Sequence, residues 1–302
     1  MVKNLNDLLE AAKNQQTMRL VVAAAQDDDV LIAVCKAAQE GIITPILVGD
    51  VEGIKTIAVG NNLDISTYEI VEAVDLEDAA KKSVAIVKEG NGDFIMKGLI
   101  DTSILLKAIV NREDGLRTEN LISHVMIYDV PNYHKMIMLT DGGMNIAPTL
   151  EDKKSIINNS VIVGNALGIE TIKVACLAAK EKVHPKMQAT VDAQALAEMG
   201  KEGAFGKNVI VEGPLAFDLA ISKEAAEHKG FKSEIAGDTD ILMVPTIEMG
   251  NGIGKTMTYF GNAASAGVIM GAKVPVVLVS RADSYEAKLN SIALGSVVAA
   301  NN

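Results

Sequence analysis

Short aliphatic runs of strand length recur along this chain and alternate with longer segments whose apolar residues fall three or four apart. The runs occupy 20–25, 45–48, 94–96, 125–128, 136–139, 172–176, 209–211, 241–244 and 274–279. Between them, LEDAAKKSVAIVKE, TLEDKKSIINNSVIVGNALG and HPKMQATVDAQALAEMG carry the helical period. Strand followed by helix, repeated, requires parallel strands joined by crossover helices, which then cover both faces of the sheet. Strands buried on both faces read as unbroken apolar runs, as VVAAA and VPVVLV do. The expected fold class is α/β, with mostly parallel, doubly wound sheets in α/β/α layers. A length of 302 residues fits about two lobes. One stretch, 120–140, sets two strand-like runs back to back around VPNYHK, which predicts a hairpin or a sheet crossing and the lobe boundary. No Ser/Gly/Pro-rich linker marks that boundary, so a rigid interface between lobes is expected.

Composition removes several classes of function. Asp and Glu outnumber Lys and Arg by 39 to 28, and a formal charge of −11 repels a phosphate backbone, so nucleic acid is excluded as a partner. Aromatic residues are 3% of the chain and Trp is absent, which removes base-stacking platforms and membrane-interface belts. No apolar run reaches the ~18 residues that cross a bilayer. The first residues, MVKNLNDLLEAAKNQQ, are polar and amphipathic rather than a secretory signal, and a cytoplasmic protein with no membrane partner is expected. Cys35 and Cys176 sit in apolar stretches, where a thiol acts as a small hydrophobe. His124, His134, His184 and His228 lack metal-ligand spacing, so no metal site is expected.

Polar and glycine residues gather where the strands end, in GDFIMKGLIDTS, MLTDGGMNIAPT, VIVEGPLAFD, MVPTIEMGNGIGKT and VLVSRADS. Open parallel sheets bind ligands at those ends, where helix amino termini offer N–H groups to anions. Each segment alone is equally well explained as turn and cap chemistry. The segment 249–256, MGNGIGKT, imitates a phosphate loop, but a Walker A motif needs glycine where Met249 stands. The dinucleotide fingerprint fails as well, since its last glycine would fall on Lys255. What remains there is a flexible backbone beside Lys255 at an expected helix start, able to meet phosphate. In VLVSRADSYE, one of only four arginines directly follows a buried-type strand. Ser280 offers a donor to a carbonyl oxygen, Arg281 a planar fork for phosphate, and Asp283 or Glu286 a carboxylate base. A helix cap built on Asp283 or Ser284 explains the same residues.

Several motifs in order carry a resemblance to a known family. They are MKGLIDT at 96–102, LTDGGMNIAPT at 139–149, VEGPLAFDLA at 211–220, DILMVP at 240–245, Gly250-Asn251-Gly252, TYF at 258–260 and VPVVLVSRAD at 274–283. Together they span nearly the whole chain, which resembles the phosphate acetyltransferase and phosphate butyryltransferase family, and within it the butyryl branch.

The resemblance implies reversible transfer of a short acyl group, butyryl, between coenzyme A and inorganic phosphate. A phosphate acetyltransferase, or a non-catalytic acyl-CoA-binding regulatory module on the same scaffold, is the alternative. It also implies a fold similar to that of isocitrate and isopropylmalate dehydrogenases. Residues 1–119 plus 270–302 would form one lobe, 120–269 the other, and the active site would lie in the cleft between them. Coenzyme A would be a substrate and no resident cofactor is implied; a homodimer or larger homo-oligomer is. Ser280 and Arg281 match the family's serine-arginine pair, with roles in polarising the carbonyl and holding phosphate. The acetyl branch places its catalytic aspartate seven residues after the serine, which here is Ala287. Glu286 is then the first substitute and Asp283 the second. An arginine of the acetyl branch aligns with Lys107, which keeps charge and loses bidentate geometry. Lys97, Lys107, Lys255 and Arg281 are the cations expected to admit polyanionic substrates to an acidic chain, with Thr102, Asn145, Asn251 and Gly252 as further substrate contacts.

Overall fold

A computed structural model describes residues 2–279 and 283–301. Residues 5–120 form α1 (Leu5–Lys13), β1 (Met18–Ala23), α2 (Asp28–Gln39), β2 (Ile43–Gly49), α3 (Val51–Gly60), β3 (Glu69–Glu72), α4 (Leu76–Lys88), β4 (Phe94–Lys97) and α5 (Thr102–Ile109). Then follow β5 (Ser123–Asp129), β6 (Ile137–Thr140), α6 (Leu150–Ala166), β7 (Ile172–Leu177), α7 (Gln188–Lys201), β8 (Val209–Leu215), α8 (Phe217–Ile221), α9 (Lys223–His228), β9 (Ile241–Met243) and α10 (Ile247–Tyr259). The chain closes with β10 (Ala264–Met270), β11 (Val276–Val277) and α11 (Tyr285–Ala300). No helix among the described residues is long and apolar enough to cross a membrane.

Two compact units emerge. The first comprises Leu5–Asn120 with Ala266–Asn302. Its strands run in the order β3-β2-β1-β4-β11-β10, parallel throughout except for the antiparallel pairing of β10 with β11. β1 and β4 are wholly or largely apolar and buried, as expected for strands covered on both sides. Three carboxylates that follow strands here cap the next helix: Asp27 accepts from Val30 N, Asp50 from Glu52 N and Asp75 from Asp78 N.

The second unit comprises Met1–Asn4 with Leu121–Ser265. Its strands run β5-β6-β9-β7-β8, and β5 and β6 form the hairpin, antiparallel from Met126↔Leu139 to Tyr128↔Ile137. The first residues of the chain join this unit: Val2 N donates to Leu167 O, and Lys3 O accepts from Met136 N. Thr149 and Asp152 close a reciprocal capping box at the start of α6. The core beneath α8 and α10 gathers Tyr128, Leu139, Leu215, Leu219 and Leu242.

Candidate active site

In the first unit the carboxyl end of β4 is the most constrained turn. Pairing with β1 continues past the strand, with Gly98 N donating to Ala23 O at 2.8 Å and Leu99 N to Ala24 O at 2.7 Å. A Cβ on residue 98 would stand 2.1 Å from Ala24 O, so only glycine fits. Lys97, the last residue of β4, is buried, and its ammonium donates to Gly98 O at 3.2 Å and Ile100 O at 3.0 Å. The lysine places positive charge inside this turn while satisfying its carbonyls. Thr102 opens α5 half-buried, behind an Asp101 whose side chain makes no capping bond. Lys107 is exposed in the last turn of α5, where a cation suits the helix dipole, about 7.5 Å of helix beyond Thr102.

β11 leads towards the serine-arginine pair. Ser280 and Arg281 lie outside the described residues. Beyond them Asp283 is half-buried, and its backbone oxygen accepts from Lys288 Nζ at 2.5 Å. Ser284 caps α11, its hydroxyl oxygen accepting from Ala287 N at 3.3 Å. Glu286 is exposed in the first turn of α11, and hydrogen bonds from the Ser284 hydroxyl and from its own backbone N–H hold its carboxyl below the usual glutamate range. The carboxylate is thus ionised near neutrality and engaged with the cap.

In the second unit the loop after β6 is organised by Asp141, 2% exposed. One carboxylate oxygen accepts from Gly143 N at 2.8 Å and Met144 N at 2.9 Å, and the other from Asn145 Nδ2 at 2.7 Å and His124 N at 3.1 Å. Asn145 also donates to Ile122 O at 2.9 Å, so both of its amide hydrogens are engaged in holding the loop. Spacing did not single out Asp141, although its place in Asp-Gly-Gly-Met-Asn directly after a strand was a usable signal.

The segment 249–256 differs from expectation. It is not a flexible loop at a helix start but the middle of α10, whose amino-terminal cap is Thr246. The physical reason is packing. Gly250 and Gly254, one turn apart, form the buried stripe of the helix, and a Cβ on Gly250 would lie 2.7 Å from the Cα of Gly142. Asn251, Gly252 and Lys255 therefore lie on the exposed face of a helix, with Lys255 two turns beyond the amino terminus and its unpaired N–H groups.

Buried at the carboxyl ends of β7 and β9 is an ion pair that no motif announced. Lys153 of α6 and Asp192 of α7 meet at 2.5 Å with side chains 7% and 9% exposed, and Gln188 Nε2 donates to the other carboxylate oxygen at 2.7 Å. Cys176 lies beside it, its thiol pushed up to about 12 by burial, with Lys153 pulling weakly the other way. Such a thiol is no nucleophile at neutral pH. The structure thus gathers Lys97 with Thr102 at one turn and Asp283 with Glu286 at another, and sets Asn145 in a loop that packs against α10.

A family model described as "Phosphate acetyl/butaryl transferase" matches residues 4–82 and 73–296. A phosphate butyryltransferase from Clostridium beijerinckii is 45% identical over 302 residues, the whole of both chains. The crystal structure of a branched-chain phosphotransacylase from Enterococcus faecalis superposes with a TM-score of 0.81 at 34% identity, over 93% of this chain and 99% of that one. A 4-hydroxythreonine-4-phosphate dehydrogenase from Klebsiella pneumoniae, at 12% identity and a TM-score of 0.53 over 94% of this chain and 99% of its own, shares the fold alone. That likeness bears out the dehydrogenase-like fold class. By sequence along nearly its full length, the chain belongs to the phosphate acetyl/butyryl transferase family.

Proposed function

We propose that this chain is an acyltransferase that moves a butyryl group reversibly between coenzyme A and inorganic phosphate, giving butyryl phosphate. The observation that carries the reading is the end-to-end 45% identity to a protein named for that reaction. In the direction of thioester synthesis, a carboxylate removes the coenzyme A thiol proton. The thiolate then attacks the acyl carbonyl, and phosphate leaves with the electron pair of the broken C–O bond. A free thiol has a pKa of about 8.5, so a positioned base raises the reactive fraction near neutrality. Donors aimed at the developing oxyanion lower the barrier, each by about 3 to 4 kcal/mol.

In this reading Ser280 polarises the carbonyl, Arg281 holds phosphate, and Asp283 or Glu286 is the base. Lys97, Thr102 and Lys107 in one unit, and Asn145, Asn251, Gly252 and Lys255 in the other, are substrate contacts. A net charge of −11 makes those local cations necessary, since they must reverse the field within a Debye length of about 8 Å. Coenzyme A and phosphate are substrates, and the working form is a homodimer or larger homo-oligomer. The test mixes protein with butyryl-CoA and phosphate and follows free thiol, in parallel with acetyl-CoA. Phosphate-dependent release with butyryl-CoA preferred is expected. Preference for acetyl-CoA reassigns the chain to the acetyl branch, and binding without turnover makes it a regulatory module.

A further inference from the structure

Lys288 is a buried cation that neither packing nor helix formation calls for. Its side chain is 3% exposed, in the first turns of α11, where the helix dipole opposes a positive charge. Burying an ammonium is expensive unless it is paired and hydrogen-bonded. Two groups compensate it here. The backbone oxygen of Asp283 accepts at 2.5 Å, and Asp29 Oδ2 of α2 lies 3.6 Å away on a side chain that is itself 55% exposed. The closer contact is thus to the main chain of a candidate base.

Resting on the reading under Proposed function, we propose that Asp283 is the general base and that Lys288 is the positioning residue that holds it. The two candidates differ in how they are fixed. The peptide oxygen of residue 283 is gripped by Lys288, and the next residue, Ser284, is fixed as the cap of α11. With the peptide that follows residue 283 held at its oxygen and at Ser284, only two side-chain torsions separate that fixed main chain from the Asp283 carboxylate. Glu286 has three torsions and an exposed side chain. Effective acid–base groups are held within about 0.5 Å of their working geometry, and the Lys288 contact supplies that constraint at Asp283. In the step, the Asp283 carboxylate takes the proton of the coenzyme A thiol. The S–C bond then forms as the C–O bond of the acyl phosphate breaks and phosphate departs with the electron pair.

The experiment compares Asp283→Asn, Glu286→Gln, Lys288→Met and the double variant Asp283→Asn/Lys288→Met in the thiol assay. Asp283→Asn should lower kcat by about 10² to 10⁴, the range for removing a general base, and at least about tenfold more than Glu286→Gln does. Lys288→Met should lower kcat by about 10², the effect of a displacement near 1 Å, with the KM for acyl-CoA within about threefold. In the double variant the Lys288 effect should vanish, which a merely structural role would not produce. Equal damage from Glu286→Gln, unchanged kcat in Lys288→Met, or multiplying losses in the double variant would overturn the assignment. Should Lys288→Met fail to fold, Lys288→Gln takes its place. Hydrogen exchange over 283–288 is followed in parallel and is independent of turnover. Faster exchange in the Lys288 variant is expected, and unchanged exchange refutes the grip on Asp283, whereas an inert wild type refutes the acyltransfer reading instead.

Discussion

Replacing Asp192 by Asn should be among the most damaging conservative changes in the second unit. The Lys153 ammonium is 7% exposed, and among the described residues Asp192 is the carboxylate that neutralises it, at 2.5 Å. Asparagine keeps the shape and the acceptor for Gln188 but removes the charge, leaving a buried cation uncompensated. Removing one partner of such a pair costs about 3 to 5 kcal/mol. At ~2 to 4 °C per kcal/mol for a domain of this size, the loss is about 6 to 20 °C in Tm. Removing both charges, as Lys153→Met/Asp192→Leu, should return stability to within about 1 kcal/mol of wild type or above it, because neither desolvated charge remains. Urea unfolding followed by far-UV circular dichroism reads these proteins, and with the singles Lys153→Met and Asp192→Leu added it completes the double-mutant cycle. A single variant that costs less than about 1 kcal/mol, or a double variant as damaged as the sum of its singles, would show that water reaches the pair and that burial does not set its energetics.

Two further outcomes follow from particular contacts. Gly250→Ala should destabilise by about 1 to 3 kcal/mol through overpacking, since its Cβ meets the backbone of Gly142 at 2.7 Å and Asp141 O at 3.0 Å. Gly252→Ala on the same helix, with nothing within 4 Å, should instead gain up to about 1 kcal/mol in urea unfolding; equal effects at the two positions would refute the packing explanation of α10. Asp238 is penalised by burial, which raises its pKa, but Lys173, Lys135 and His134 together hold it well below the usual aspartate range. A depressed folded-state pKa gives stability that is present above the unfolded value near 3.9 and is lost as pH falls below it. The stability difference between wild type and Asp238→Asn should therefore shrink from pH 5 to pH 2, modestly because the side chain is 42% exposed; a constant difference would refute it.

The sheet was readable where its strands are buried on both sides and much less so at its margins. The nine aliphatic runs correspond to strands, but β3, Glu-Ile-Val-Glu at an edge with no fully buried residue, has no such run. β10, Ala-Ser-Ala-Gly-Val-Ile-Met, is diluted by small residues that leave the apolar pattern short. α10 was hidden for the opposite reason. Gly250, Gly252 and Gly254 each disfavour a helix by about 1 kcal/mol relative to alanine, yet the helix forms because two of them let its backbone pack closely, Gly250 against the loop at Gly142 and Gly254 against Tyr128. Tertiary contact overrides local propensity there, and no local reading of 249–256 contains the contact.

The site divides along the same line. Candidates set near the end of a strand, such as Lys97, Thr102 and Asn145, are visible from position alone. Residues whose role is set by what buries them are not. Lys153 sits in Glu-Asp-Lys-Lys-Ser and Lys288 in Glu-Ala-Lys-Leu, contexts that in an amphipathic helix describe a solvated face, and both are buried against partners 39 and 5 residues away in sequence. A lysine stays charged in such a place only when its partner is fixed, so each burial implies a geometry that the fold must maintain. For Lys153 the partner is a side chain on another helix, and the consequence is stability. For Lys288 it is the peptide oxygen of Asp283, three residues after the serine of the serine-arginine pair. Helix α11 thus closes the first unit and, at its fourth residue, contacts the main chain of a candidate base.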